Sequence, residues 1–138
     1  MKIVERWGPL GSRILIAVIF TVLGFSKLGN PSAAAAVIAA KGLPLATLLA
    51  VVAGILECAG GISILIGMYA RYTALILVVY LVPVTLVFHN PAGLDAAHAQ
   101  IQVHELLKNL AIMGGLIAIA AFGSGPFSID ARRRKRTF

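Results

Sequence analysis

Charged residues are scarce in this sequence. Only 12% of its 138 residues are charged, and just five are acidic. A soluble domain is typically about a quarter charged and about half apolar, whereas this chain is 59% hydrophobic with a mean hydropathy of +0.95. A soluble fold of this length would lack the polar residues needed to cover its surface. We therefore expect one domain, residues 1–138, whose surroundings are a lipid bilayer.

Cysteine is almost absent as well. Cys58 is the only one, which excludes an intramolecular disulfide and leaves no C-x-x-C pair for dithiol chemistry. The sequence also lacks a strand-linked G-x-G-x-x-G, a P-loop and a serine nucleophile elbow. These absences argue against a nucleotide site and a hydrolytic triad, and any redox role must use a partner or a bound cofactor.

Long apolar runs are what the sequence has instead. A helix needs about 20 residues to cross the hydrocarbon core, and the stretches that meet this length cover about residues 10–28, 45–68, 71–89 and 105–123. The sequence therefore predicts an all-α fold, an integral membrane four-helix bundle. The first run also has features of a secretory signal, but Arg13 and Lys27 bracket it closely, which favours a retained span.

Two connections between the spans have a distinct composition. After Asn30 and Pro31, the stretch SAAAAVIAAKG favours a short helix lying at the membrane surface and ending near Gly42. Residues 90–104 are the most polar stretch before the tail. We expect them to form a loop over the mouth of the bundle.

Basic residues predict the orientation. Most of them fall on one side of a four-span bundle: the basic residues near the start of span one, Arg71, and the tail 131–138. The positive-inside rule therefore places both termini in the cytoplasm. The tail contains Arg132, Arg133, Arg134, Lys135 and Arg136. Attached to a hydrophobic body, it is typical of a topology determinant facing anionic lipid, and we expect no nucleic-acid partner.

One carboxylate, Glu57, lies in the middle of span two. It follows residue 45 by 12 positions, which places it roughly 18 Å deep, and an acidic residue there costs about 2.5–3.5 kcal/mol. We expect it to face the bundle interior and to be protonated or paired. Gly54 and Gly61 lie on the same helix face. Such glycines allow either close helix approach or room for a ligand.

Other polar residues form stripes on the neighbouring spans. On span one, Arg13, Gly24 and Lys27 share a face, and on span four His104 and Lys108 are four residues apart, as are Glu105 and Asn109. Arg13 and Glu105 are candidates for a structural polar network. The lysines and Arg13 lie near span ends, so they also suit snorkelling to water. The estimated depth argues against a direct bridge between Lys27 and Glu57.

All three histidines map to the end opposite the basic tail. His89 ends span three, His98 lies in the following loop, and His104 precedes span four. Their spacing matches no metal motif, so we expect no metal and interpret them as hydrogen-bonding groups at the cavity mouth.

Several of these segments together resemble the DoxX family of small four-helix bacterial membrane proteins. The matching pieces are RILIAVIFTVLGFSKL, LECAGGISILIGMYAR, FHNP, KNLAIMGG and GSGPFSIDA. They include a G-x-x-K from Gly24 to Lys27, an E-x-x-G-G from Glu57 to Gly61, and a K-N at Lys108 and Asn109. The resemblance implies an inner-membrane location. It also implies a redox-linked role with quinone as the plausible partner, since the family is named for a subunit of a thiosulfate:quinone oxidoreductase.

The sequence leaves three functions open. The leading one is a quinone-associated oxidoreductase subunit with a partner redox subunit, in which Glu57 is the catalytic proton carrier. In that reading the ligand-binding residues are Gly24, Lys27, Gly61, His89, His104, Lys108 and Asn109. The second is a carrier or channel for a small solute or protons, for which a homo-dimer is expected. The third is a non-catalytic membrane anchor for a soluble redox enzyme.

Overall fold

The structure is a computed structural model that describes residues 1–135. Arg136 and the rest of the predicted basic tail lie outside the described residues. Within 1–135 the chain is helical and has no strand. Its helices are α1 (Lys2–Gly29), α2 (Pro31–Ala40), α3 (Ala46–Ile66), α4 (Ala70–Phe88), α5 (Ala96–Phe122) and α6 (Ile129–Arg134). Helices α1, α3, α4 and α5 are long and apolar enough to cross a membrane. The predicted all-α bundle with four membrane-spanning helices is confirmed.

Helices α1 and α3 form one antiparallel pair that is held close by glycines. A Cβ added to Gly24 of α1 would lie 2.7 Å from the backbone nitrogen of Cys58 and 2.8 Å from the carbonyl oxygen of Gly54 on α3. A Cβ on Gly61 would lie 2.7 Å from Thr21 Cγ2 on α1. These small residues therefore let the two backbones come into direct contact.

Helices α4 and α5 form the second pair. The two pairs meet in a shared core whose fully buried side chains are apolar. Its largest members are Phe20, Ile64, Leu77 and Leu116. Many large apolar side chains instead face outward along the spans. This arrangement suits a bundle whose outer surface contacts lipid tails rather than water.

Helix α2 confirms the predicted short helix between the first two spans. Asn30 caps it by accepting a hydrogen bond from the Ala33 N–H at 3.1 Å, and Pro31 occupies the first helical position. Just past its end Gly42 takes a positive φ of 73°. Ala35 and Ile38 pack on Ala50 of α3. The placement of α2 at the membrane surface stays a prediction, as does the cytoplasmic location of both termini.

The predicted loop over residues 90–104 is wrong for its second half, because α5 begins at Ala96. The reason is a cap that the hydrophobicity pattern does not reveal. Asp95 accepts hydrogen bonds from the backbone N–H groups of Ala97 at 3.1 Å and His98 at 3.2 Å. These bonds satisfy two donors of the first turn, so a polar, alanine-containing stretch becomes helical.

Replacing Gly24 with alanine is expected to destabilise the bundle by about 1–3 kcal/mol, because the new methyl group would overlap backbone atoms of α3. Gly114→Ala is the matched control. A Cβ there meets nothing within 4 Å, so only the gain in helix propensity of about 1 kcal/mol applies. Thermal unfolding of both variants in detergent checks this prediction. A Gly24→Ala protein at least as stable as Gly114→Ala would contradict it.

The cap on α5 is expected to depend on pH. The backbone N–H of His98, and then its side chain, lower the pKa of Asp95. A lowered carboxyl pKa gives a stabilisation that is present above the ordinary value of about 3.9 and lost as the pH falls through the folded value. The amide proton shift of Ala97, followed by NMR, should titrate with a midpoint below that ordinary value. Asp95→Asn keeps a cap without a charge and should abolish the titration; a midpoint at or above about 3.9 would contradict the prediction.

Candidate functional site

Glu57 lies inside the bundle, where α1, α3 and α4 meet. Only 4% of the residue is exposed. Its carboxylate accepts hydrogen bonds from Lys27 Nζ of α1, at 2.7 Å to Oε2 and 3.0 Å to Oε1, and from Tyr80 Oη of α4, at 2.7 Å to Oε1. We call Lys27, Glu57 and Tyr80 the buried triad. Glu57 faces inward and is paired with Lys27, which confirms the expectation that it is either protonated or paired.

The direct contact between Lys27 and Glu57 corrects the depth argument drawn from the sequence. Residue counts from the span ends place Lys27 level with the start of α3. In the structure a Cβ on Gly54 would lie 3.2 Å from the Cβ of Lys27, so Lys27 is level with Gly54. The axial gap to Glu57 is therefore three residues, about 4.5 Å.

The direction of the side chains closes the remaining distance. In a helix each Cα–Cβ bond tilts toward the N-terminus. Because α1 and α3 are antiparallel, Lys27 leans deeper into the bundle while Glu57 leans toward the level of Lys27. A lysine near a helix end can thus point inward instead of snorkelling outward.

Tyr80 is the member that sequence reasoning missed. It lies in the middle of α4, residues Ala70–Phe88, far from both ends where tyrosines usually sit in membrane proteins. It also precedes the buried Leu81 and follows the buried Leu77 at helical spacing. A phenol at that depth needs a hydrogen-bond partner, so its position was the available signal.

The triad combines a proton acceptor with two proton donors in an apolar setting. In the part of the chain that the structure describes, no buried side-chain nitrogen or oxygen lacks a hydrogen-bond partner. The Lys27 side chain is 27% exposed and that of Glu57 is 5% exposed. The side chain of Lys27 therefore extends between the surface of the bundle and the buried carboxylate.

The other predicted site residues lie apart from Glu57. Asn109 is buried and donates to Thr85 Oγ1 at 3.0 Å. Lys108 pairs with Glu105, and both are exposed to a large degree. His89 Nδ1 lies 3.0 Å from Gln102 Oε1. His104 is exposed. Ligand roles for His89, His104, Lys108 and Asn109 stay predictions.

The glycines beside the triad serve helix packing. Gly24 and Gly61 are buried against α3 and α1 respectively, so their missing side chains are filled by the opposite backbone. The sequence left close helix approach and ligand space as alternatives, and this contact accounts for both glycines. A ligand-binding role for them stays a prediction.

Arg13 occupies a second polar centre, at the opposite end of the bundle. It is 0% exposed, so the snorkelling interpretation is wrong. Its guanidinium donates to the carbonyl oxygens of Pro9 at 3.4 Å, of Leu65 at 3.2 Å, and of Phe127. Arg13 and Glu105 therefore do not share one polar network, because Glu105 lies at the other end beside Lys108.

The segment after α5 is folded to reach this centre. Asp130 accepts hydrogen bonds from the N–H groups of Tyr69 at 2.9 Å and Ala70 at 3.0 Å, and so caps α4. The Asp130 N–H in turn donates to the carbonyl of Gly67 at 2.9 Å. Gly67 has a φ of 68°, and a Cβ there would overlap Arg13. The sequence GSGPFSIDA thus ties the C-terminal segment to the turn between α3 and α4.

Removing one charge of the triad is expected to cost more than removing both. Lys27→Met leaves a buried carboxylate without its cation, and we expect a loss of about 3–5 kcal/mol in unfolding free energy. Lys27→Met combined with Glu57→Gln should recover most of that loss, because Tyr80 can still donate to the amide oxygen. Thermal unfolding of the purified variants in detergent measures both effects.

The exposed pair of Lys108 and Glu105 supplies the control for this comparison. Lys108→Met should change stability by no more than about 1 kcal/mol, since exposed ion pairs contribute little. If Lys27→Met were as mild as Lys108→Met, or if the double variant were the least stable of the three, the buried triad would not be an electrostatic unit.

Comparison with known proteins places the triad inside a shared region. A family model described as DoxX matches residues 8–90, which include all three triad residues. Inner membrane protein YqjF of Escherichia coli K12 is 31% identical over 138 residues, covering 99% of each chain. Inner membrane protein YphA of the same strain is 26% identical over 121 residues, 88% of this chain and 86% of the relative.

No solved structure matches this chain. The four apolar helices and the inner-membrane location of both relatives confirm the prediction of a multi-pass protein of the bacterial inner membrane. The match over residues 8–90 and the similarity to YqjF along nearly the full length confirm the family resemblance as well. This chain is a membrane protein of the DoxX family.

Proposed function

We propose that this protein is a quinone-associated subunit of a membrane oxidoreductase. The observation that carries the proposal is the buried triad: a carboxylate, an ammonium and a phenol converge in an apolar bundle at the seam between α1, α3 and α4. Buried ionisable groups in membrane spans mark functional sites by default. Because the chain has one cysteine and so no dithiol pair, we assign the supply of electrons to a partner redox subunit.

The donor set fits a quinone head group. Its carbonyl oxygens accept hydrogen bonds, and both Lys27 and Tyr80 are donors, while the partly exposed Lys27 opens toward the surface where an isoprenoid tail would lie in lipid. A quinone, when bound, supplies a two-electron acceptor that also takes up two protons. Binding would require Tyr80 or Lys27 to redirect one donor from Glu57 to a carbonyl oxygen.

Each triad residue then has a distinct role. Tyr80 and Lys27 orient the head group and are the nearest groups able to deliver protons to its oxygens. Glu57 holds the two donors in place. When a donor has given its proton to a quinone oxygen, Glu57 passes on a proton that arrives from outside the bundle: it is neutral while it carries that proton and a carboxylate again once the donor has taken it. The exposed edge of Lys27 supplies the route by which protons re-enter from outside the bundle.

Tyr80→Phe tests the proposal with little change in shape. The purified protein is placed in lipid nanodiscs containing a short-tailed ubiquinone, and retained quinone is extracted and quantified. We expect wild type to retain quinone above the lipid background and Tyr80→Phe to bind roughly tenfold more weakly, since a hydrogen bond of about 1.5 kcal/mol is lost. Glu57→Gln should bind but fail to support quinol formation when membranes containing the partner are assayed.

Glu105→Gln is the matched control, because Glu105 is a carboxylate of the same bundle that lies outside the triad. It should retain quinone as wild type does. Equal retention by wild type, Tyr80→Phe and empty nanodiscs would overturn the proposal. Flux of protons or a solute into liposomes without an electron donor, abolished by Glu57→Gln, would favour a carrier instead.

A further inference from the structure

The end of the bundle that carries Arg13 also carries a basic groove. A recess of about 720 Å³ is bounded by Phe122, the turn 123–126, Ala131, Arg134 and Lys135. An adjoining smaller recess shares Gly123, Ser124 and Arg134 with it and adds Tyr69, Arg71, Tyr72 and Asp130. We refer to these two recesses together as the basic groove. It is separate from the buried triad and does not depend on the proposed function.

The described part of the chain offers the cations of this groove no ion-pair partner. Within residues 1–135 no carboxylate forms an ion pair with the side chains of Arg71, Arg134 or Lys135. Asp130 lines the smaller recess, but both of its oxygens accept backbone N–H groups at the start of α4. The positive N-terminal end of the α4 dipole offsets the negative charge of Asp130. The groove therefore presents an excess of positive charge.

The position of the groove relative to the lipid follows from its aromatic residues. Tyr69 is 56% exposed and precedes α4 as its N-cap residue, and Tyr72 is 70% exposed and lies in the first turn of α4. Tyrosines at the end of a membrane-spanning helix mark the headgroup level. Phe122 closes the other side of the groove at the end of α5 and is 86% exposed. The groove thus has cations at headgroup depth and an apolar side chain facing the acyl region.

We propose that the basic groove binds the headgroup of an anionic phospholipid, with Arg71, Arg134 and Lys135 around the phosphate and Phe122 against an acyl chain. Basic pockets between membrane helices bind the headgroups of anionic lipids. A free phosphate would use the cations but not Phe122, which favours the lipid. The Arg71 side chain lies across Gly123, the residue that ends α5, so a bound headgroup would bridge α4, α5 and α6.

Native mass spectrometry of the detergent-purified full chain tests this proposal. Phosphatidylglycerol is titrated against phosphatidylcholine, and inorganic phosphate is added as a competitor. We expect wild type to prefer phosphatidylglycerol, and inorganic phosphate at equal concentration not to displace it. Removing Arg71 and Arg134 together as Arg71→Gln and Arg134→Gln should weaken phosphatidylglycerol binding by roughly five-fold for each cation.

The control removes two positive charges outside the groove, Lys2→Gln with Arg132→Gln, and should bind as wild type does. Equal weakening in the control would mean that diffuse charge attracts the lipid, and the groove proposal would fail. It would also fail if both lipids bound equally, or if inorganic phosphate displaced the lipid. All four residues are exposed, so thermal unfolding should show intact folds in both double variants.

Discussion

The whole arrangement depends on a carboxylate that must be neutralised inside an apolar bundle. Glu57 cannot reach water from its depth, so its partners have to come from neighbouring helices. Lys27 reaches it because α1 and α3 lie close together: a side chain on Gly24 would meet the backbone of α3, and one on Gly54 would meet the side chains of Leu28 and Lys27. Tyr80 reaches it only if α4 packs on the same face. The buried charge is therefore neutralised only when these three spans hold their positions relative to one another.

At the opposite end of the bundle a second buried charge must also be compensated, and its partners are of a different kind. Arg13 is fully buried, yet it is satisfied by main-chain carbonyl oxygens of three separate segments rather than by a carboxylate. The carbonyls of Leu65 and Phe127 are available because they lie at the end of α3 and in the segment between α5 and α6, whereas that of Pro9 lies within α1. Phe127 supplies one of them only when the chain after α5 folds back. Asp130 then secures that fold by capping α4. The C-terminal segment is thus part of the bundle's structure.

The features that follow from hydrophobicity could be predicted from the sequence. The predictions were wrong or incomplete where the direction of a side chain or the capping of a helix determines the structure. Four spans, the short α2 and the inward position of Glu57 follow from composition and from the high cost of a charge in lipid. Lys27 was set too far away because counting residues from the span ends placed it level with the start of α3 instead of with Gly54, and because it ignored the tilt of side chains along antiparallel helices. Tyr80 was missed because a tyrosine reads as an ordinary apolar residue unless its depth is considered. The start of α5 depends on Asp95, which lies outside any apolar pattern.

Stability alone is a poor explanation for the buried triad. Replacing a buried ion pair with well-packed apolar residues is often neutral or stabilising, because desolvation offsets the attraction. The chain could hold α1 against α3 with its glycines and its apolar core, as it does around Phe20 and Ile64. Moreover, the two members of the pair differ in exposure: the side chain of Glu57 is 5% exposed, whereas that of Lys27 is about a quarter exposed. The exposure of Lys27 lowers the desolvation cost of the pair. It also leaves one hydrogen-bond donor of the buried triad accessible from the surroundings of the bundle, which is what the proposed quinone site needs.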